Sequence, residues 1–167
     1  GLNNFKPIET ENIVADLNLQ TKKINELLAK NAITLLRNSN TSLLPLKANK
    51  VAYISIGSPK ENVIAARLRK ENNADVYLFG SKAAVGKEVM DDLSKMNVVD
   101  KTDSAAVTQL VQTLQQKNYD AVIVGVHNYS RRPANNYGIN KPTVYLLNEL
   151  NKFNQSAFLF FGNPYAI

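Results

Sequence analysis

Val51-Ala52-Tyr53-Ile54-Ser55-Ile56-Gly57 is an almost continuous apolar run that ends at a glycine, and this stretch decides the fold class. Comparable runs follow at residues 74–79, 121–124 and 157–161, with a shorter one at Val98-Val99. Runs that are apolar on both faces and alternate with amphipathic helical patterns are typical of parallel strands covered by helices on both sides. The sequence therefore predicts an α/β three-layer sandwich with a mostly parallel sheet of about five strands.

Helix-start signals lie between these runs. Ser58-Pro59-Lys60-Glu61 reads as a capping box, with serine at the N-cap and glutamate three residues later. Thr102 and Asp103 are candidate caps of a later helix, in which apolar residues recur at helical spacing. Further helices are predicted over residues 86–96 and 142–153.

The two ends of the chain differ from its middle. Residues 1–20 show little periodicity and are interpreted as a linker or lead-in. Thr21 opens a helical pattern that continues to the turn formers at 38–41, so residues 21–167 are interpreted as one domain. Because Asn163-Pro164 follows directly on an apolar run, we expect this domain to be a piece of a longer protein, truncated at its C-terminal end.

The composition excludes several kinds of chemistry. The 167 residues include one histidine and no cysteine, so neither a thiolate nucleophile nor a cysteine-based or two-histidine metal site is expected. No glycine-rich nucleotide fingerprint is found, and no cofactor is predicted. The net charge is +6, but the basic residues are scattered, which argues against nucleic acid as a partner. No apolar run approaches the ~18 residues of a membrane span.

One strand-end loop concentrates candidate binding residues. Ligands of parallel sheets bind at the carboxyl ends of strands, and His127, Tyr129, Arg131 and Arg132 follow the run at 121–124. We therefore predict these four as substrate-binding residues. The chain has no aspartate or glutamate between Asp120 and Glu149 to orient a catalytic histidine, so no catalytic residue is assigned.

Two motifs resemble a known family. The stretch 29–38, which ends in Leu-Leu-Arg-Asn, followed by Leu43-Leu44-Pro45-Leu46, resembles the start of the C-terminal α/β sandwich domain of family 3 glycoside hydrolases. Gly162-Asn163-Pro164-Tyr165 is similar to a segment found in the β-N-acetylhexosaminidase branch of that family. The resemblance spans most of residues 20–165, and between the two motifs it is one of pattern only.

The resemblance implies a division of labour within a longer polypeptide. A TIM barrel in the same chain would carry the catalytic aspartate, and this domain would pack on it without catalysing. In glucosidase-type members the loop after the fourth strand supplies an acid/base glutamate, but Val126 and Arg131 stand at the two glutamate positions here. Arginine stays protonated and is no general acid. This favours the branch that hydrolyses terminal N-acetylglucosaminides, with a carbohydrate substrate and, by family habit, export to the periplasm or cell surface.

Two other interpretations stay open. In the first interpretation, the chain is a stand-alone α/β module that binds a sugar or an anion through Tyr129, Arg131 and Arg132. In the second it is an interaction scaffold with an exposed apolar face. An enzyme complete in itself is the interpretation that the inventory of side chains favours least.

Overall fold

The computed structural model describes residues 11–38, 40–58, 60–80, 97–99, 103–127, 133–134 and 136–162. The chain divides into two compact units, Gly1–Ser39 and Asn40–Ile167. The predicted boundary after residue 20 differs from this division and stays a prediction.

The first unit contains two helices, α1 (Ile13–Asn18) and α2 (Thr21–Ala32). Helix α1 falls within the stretch for which no regular structure was expected. Helix α2 begins at Thr21 as the pattern predicts but ends well before residues 38–41, because the backbone of Ile33 is already extended. Ile33 and Thr34 are β-branched residues, which lose side-chain freedom in a helix and are weak helix formers.

The second unit is built on a parallel sheet. Its strands are β1 (Val51–Ile56), β2 (Asp75–Phe79), β3 (Asn97–Val99), β4 (Ala121–Val126) and β5 (Ser156–Phe160). The spatial order is β3-β2-β1-β4-β5, and each neighbouring pair is parallel. Four strands of five or six residues form the body of the sheet, with the three-residue β3 at one edge. The predicted α/β class with a parallel sheet is confirmed.

Helices cover both faces of this sheet. The remaining helices are α3 (Val63–Asn72), α4 (Ser104–Lys117) and α5 (Lys141–Leu150). Alternate residues of the strands point to opposite faces, and the core is accordingly split into two clusters. One cluster joins Val51 and Tyr53 of β1 to Ala65 of α3. The other joins Ile54 to Val107 of α4 and Leu146 of α5. The fold is therefore a three-layer sandwich.

The strand order places a topological switch point between β1 and β4. From β1 the chain builds outward through β2 and β3, then returns to the other side of β1 and continues to β5. At the carboxyl edge the strand ends are tied together by the backbone, since His127 N donates to Ile56 O at 2.9 Å and Gly57 N donates to Phe79 O at 3.2 Å. In open α/β sheets this crevice is where ligands bind.

The predicted capping box is wrong. Helix α3 begins at Val63, and its N-cap is Asn62, whose side chain accepts a hydrogen bond from Ala65 N. The Ser58 hydroxyl instead donates to Lys60 O at 2.8 Å, a short local turn that competes with helix formation. The cap predicted at Asp103 is confirmed, because its carboxylate accepts from Ala106 N at 2.8 Å.

Two other expectations concern helices. The helix predicted over 86–96 lies outside the described residues. Within the described ranges, the structure contains no helix with both the length and the apolar character that a membrane crossing requires.

Candidate functional site

Four polar side chains meet at the switch point and form what we call the carboxyl-edge cluster: Tyr53 and Ser55 of β1, Asn62 at the N-cap of α3, and His127 directly after β4. Tyr53 and Ser55 are completely buried. Burying polar groups costs free energy unless they are hydrogen-bonded, so the arrangement of donors and acceptors in this cluster is constrained.

Asn62 fixes the direction of the network. Its Oδ1 accepts from Ala65 N at 2.9 Å as the cap of α3. The amide nitrogen must therefore face the cluster, where Nδ2 lies 3.0 Å from Ser55 Oγ and 3.2 Å from Tyr53 Oη. The Asn62 side chain thus caps helix α3 and also hydrogen-bonds to the buried residues Ser55 and Tyr53 of β1.

His127 is enclosed on its ring face and at one nitrogen. Its ring stacks on Phe161 with centroids 4.5 Å apart and planes 5° from parallel. Its Nε2 lies 3.0 Å from Tyr53 Oη and 3.2 Å from Asn62 Nδ2. Burial lowers the pKa of His127 below its usual value. Because Asn62 presents only N–H groups here, the satisfied assignment is a neutral imidazole with its proton on Nδ1 and with Nε2 accepting from the Tyr53 hydroxyl.

Gly125 makes room for this contact. A Cβ built on Gly125 would lie 2.3 Å from Tyr53 Oη and 2.8 Å from His127 Nε2. Both distances are far below ordinary van der Waals contact, which begins at about 3.4 Å. Glycine in a strand interior weakens the strand and often marks such a close approach. The absence of a side chain at Gly125 therefore leaves the space in which Tyr53 and His127 contact each other.

The structure places His127 at the carboxyl edge, as the sequence predicts. The other three predicted binding residues, Tyr129, Arg131 and Arg132, lie outside the described residues, and their role stays a prediction. Sequence reasoning missed Tyr53 and Asn62 as partners of His127. The signal that was present was a glycine inside the apolar run at 121–126.

The arrangement limits what His127 can do chemically. Its Nε2 is engaged by protein groups, and the burial that lowers its pKa favours the neutral form of the ring. Across the ranges that the structure describes, no group of three or more histidine, aspartate or glutamate side chains is placed to hold a metal ion. The cluster ties the ends of β1 and β4, the start of α3 and the end of β5 into one unit.

A second polar cluster lies at the opposite, amino edge of the sheet. Tyr77 Oη and Tyr119 Oη are 2.8 Å apart, Tyr119 also donates to Asp75, and Lys117 Nζ is 2.9 Å from Asp75 Oδ2. Burial alone would raise the pKa of Asp75, but hydrogen bonds from Tyr119 and Lys117 outweigh it and lower that pKa. Burial, together with the neighbouring Asp75 and Tyr77, raises the pKa of Tyr119. This cluster joins β2 to the segment between α4 and β4.

Comparison of the chain with protein-family models, with curated proteins and with solved structures gave no match. The site must therefore be interpreted from its own geometry.

Proposed function

We propose that this chain is a non-catalytic α/β sandwich domain of the type found in family 3 glycoside hydrolases, in the branch that hydrolyses terminal N-acetylglucosaminides. In the complete polypeptide it packs on a TIM barrel that carries the catalytic aspartate and binds the carbohydrate substrate. The protein is exported to the periplasm or the cell surface.

The observation that carries this proposal is that the imidazole of His127 is occupied by contacts with other side chains of the domain. It is the single histidine of the chain, and it lies at the edge of the sheet where an α/β enzyme presents its catalytic groups. A general acid or base must reach the proton it transfers. Here Nε2 faces Tyr53 and Asn62, and one ring face is covered by Phe161. These contacts support a role in holding the edge together rather than in proton transfer to a substrate.

The sequence that follows His127 supports a contact with substrate. His127 lies at the carboxyl edge of the sheet, beside the switch point, and the next five residues in the sequence include Tyr129, Arg131 and Arg132. A tyrosine ring is suited to stacking on a sugar, and a guanidinium offers several N–H donors to its hydroxyl groups. We propose that these side chains border the substrate cleft that the barrel provides.

The test compares this chain with the intact polypeptide that carries it, using a chromogenic N-acetyl-β-glucosaminide. We expect hydrolysis by the intact protein and none by residues 1–167 alone. In the intact protein H127Q is expected to lower kcat by less than about tenfold, well short of the ~100-fold or larger loss that follows removal of a general acid or base. The double variant R131A/R132A is expected to raise KM more than it lowers kcat.

Two results would overturn the proposal. Hydrolysis by residues 1–167 alone, abolished by H127Q, would make this domain the catalyst. An intact protein without activity on aminosugar glycosides would remove the glycosidase assignment. Titration calorimetry of the chain with N-acetylglucosamine and with phosphate separates a third case, since micromolar binding by the isolated chain would favour a stand-alone sugar- or anion-binding module.

A further inference from the structure

The carboxyl-edge cluster contains a hydrogen-bond arrangement in which every short contact is satisfied when His127 Nε2 carries no proton. Asn62 Oδ1 is committed to Ala65 N, so Asn62 brings two N–H donors to the cluster. The acceptors around it are Ser55 Oγ, Tyr53 Oη and His127 Nε2. With Nε2 unprotonated, Asn62 donates to Ser55 and Tyr53, and the Tyr53 hydroxyl donates to His127.

Protonation of Nε2 reverses one of these contacts. Nε2 lies 3.2 Å from Asn62 Nδ2, so that once Nε2 carries a proton two donors face one another. If Nε2 donates to Tyr53 Oη instead, the tyrosine proton must turn from His127 to Ser55 or to Asn62 Oδ1, and the latter is 3.5 Å away, a long contact to an oxygen that already accepts from Ala65 N. Two facing donors and a buried hydroxyl left with a long contact are both costly, and the network relieves the conflict if the Asn62 amide turns over.

We infer that His127 is a proton-operated latch on helix α3: protonation of its Nε2 turns Asn62 away from Ala65 N and uncaps the helix. The inference concerns the fold itself and does not depend on the proposed function. The latch also acts on the edge of the sheet, because His127 N is bonded to Ile56 O at the end of β1.

Among the described groups around His127, the imidazole is the one whose protonation operates the latch. From β1 it meets Tyr53, whose pKa is raised by burial, so this hydroxyl keeps its proton at acidic and neutral pH. From α3 it meets the neutral amide of Asn62, and from the end of β5 the ring of Phe161. Glu61, beside Asn62 in the chain, is held in an ion pair by Arg69. Among the described residues, the side chains in contact with the imidazole, those of Tyr53, Asn62 and Phe161, carry no charge.

The chain supplies a matched control in helix α5. Asn140 caps it, and its Oδ1 accepts from Thr143 N at 2.9 Å. The Asn62 cap of α3 has the same residue, the same position of the donor and the same distance to Ala65 N. Within the described part of the chain, the side-chain hydrogen bond of Asn140 is to Thr143 N and not to His127, the single histidine. The two caps therefore match at the helix, whereas the Asn62 amide alone also contacts His127, Ser55 and Tyr53.

The experiment uses the whole chain and NMR at a series of pH values from about 7.5 to about 4.5, a range that spans the ordinary histidine pKa. Because the chain has one histidine, the imidazole signals are unambiguous. We expect the Nδ1–H tautomer at neutral pH. As the imidazole becomes protonated, hydrogen-exchange protection of the Ala65 amide, corrected for intrinsic exchange, is expected to fall about fivefold, the effect of losing an N-cap. Protection of Thr143 is expected to stay within about twofold, since its cap does not change.

Three outcomes would overturn the latch: an Nε2–H tautomer at neutral pH, protonation of His127 that leaves Ala65 unchanged, or equal losses at Ala65 and Thr143. The absence of any imidazole titration down to about pH 4.5 would also overturn it, because the switch then never operates. A variant adds an independent readout. N62D keeps an N-cap but places a carboxylate beside the imidazole, so the pKa of His127 must rise and the acid-induced loss at Ala65 must disappear.

Discussion

Replacing Gly125 with alanine tests whether the packing of the carboxyl-edge cluster is as tight as the structure indicates. The added Cβ would lie 2.3 Å from Tyr53 Oη, which must retreat by roughly 1 Å to reach ordinary contact. Tyr53 of β1 is completely buried and packs in the cluster that contains Ala65 of α3, so we expect its displacement to disturb buried neighbours. We therefore expect a net loss rather than the gain that removing a flexible glycine usually brings.

The size of this loss follows from two opposing effects. Overpacking a well-packed core costs about 1–3 kcal/mol. Alanine has less conformational freedom than glycine in the unfolded chain, and this stabilises the folded state by about 0.5–1 kcal/mol, which offsets part of the cost. Taking both effects at the middle of their ranges, G125A should therefore lower the free energy of unfolding by about 1 kcal/mol. Urea unfolding followed by tyrosine fluorescence measures it, since all seven tyrosines lie in residues 40–167 and the signal reports the second unit.

The decisive control is the same substitution in a Tyr53→Phe background. Removing Oη removes the closest contact of the added Cβ and leaves the milder ones, at 2.8 Å to His127 Nε2 and 3.0 Å to the tyrosine ring. G125A should then cost less by at least about 1 kcal/mol, a coupling of the size that residues in direct contact show. An equal cost in both backgrounds, or no cost in either, would refute the steric reasoning.

Three further predictions concern other charged and titratable groups. E61Q should lower the free energy of unfolding by about 1 kcal/mol, because the Glu61 side chain is only 11% exposed and accepts two hydrogen bonds from Arg69. E71Q should lower it by less than about 0.5 kcal/mol, because the Glu71 side chain is 54% exposed. Urea unfolding of the two variants measures both changes. The pKa of His127 is lowered on folding, so the unfolded chain binds its proton more readily and stability should fall as the pH drops below 6.5; H127Q should remove this dependence in thermal melts over that range. Y119F should raise the pKa of Asp75, because it removes a hydrogen bond to the carboxylate, and NMR titration of that side chain measures the rise.

The architecture could be predicted from the sequence because the relevant signal is local. A buried parallel strand is largely apolar on both faces, so β1 and β4, in which valine, isoleucine and alanine predominate, can be identified without any knowledge of their neighbours. Helix α4 was predicted for the same reason, since Val107, Leu110, Val111 and Leu114 repeat at helical spacing and are all buried.

Helix boundaries were less predictable where two caps compete. Ser58 and Asn62 are both good N-cap residues, and Ser58 has the glutamate that completes a capping box. Asn62 caps because its amide also bonds to Ser55 and Tyr53 of β1, and these contacts depend on how α3 packs on the sheet. Local propensity did not decide between the two residues; tertiary contacts did.

The carboxyl-edge cluster depends on strand register, which no short stretch of sequence contains. Tyr53 and His127 are 74 positions apart and meet because β1 and β4 pair with Ser55 opposite Gly125. Once that register is known, the glycine becomes informative. β4 consists of alanine, valine and isoleucine except at Gly125, which has no side chain. The space beside Gly125 is occupied by Tyr53, which lies on the same face of β1, two positions before the register partner Ser55. A glycine inside a buried parallel strand therefore indicates which neighbour is large, and here it identifies the tyrosine that engages the single histidine of the chain.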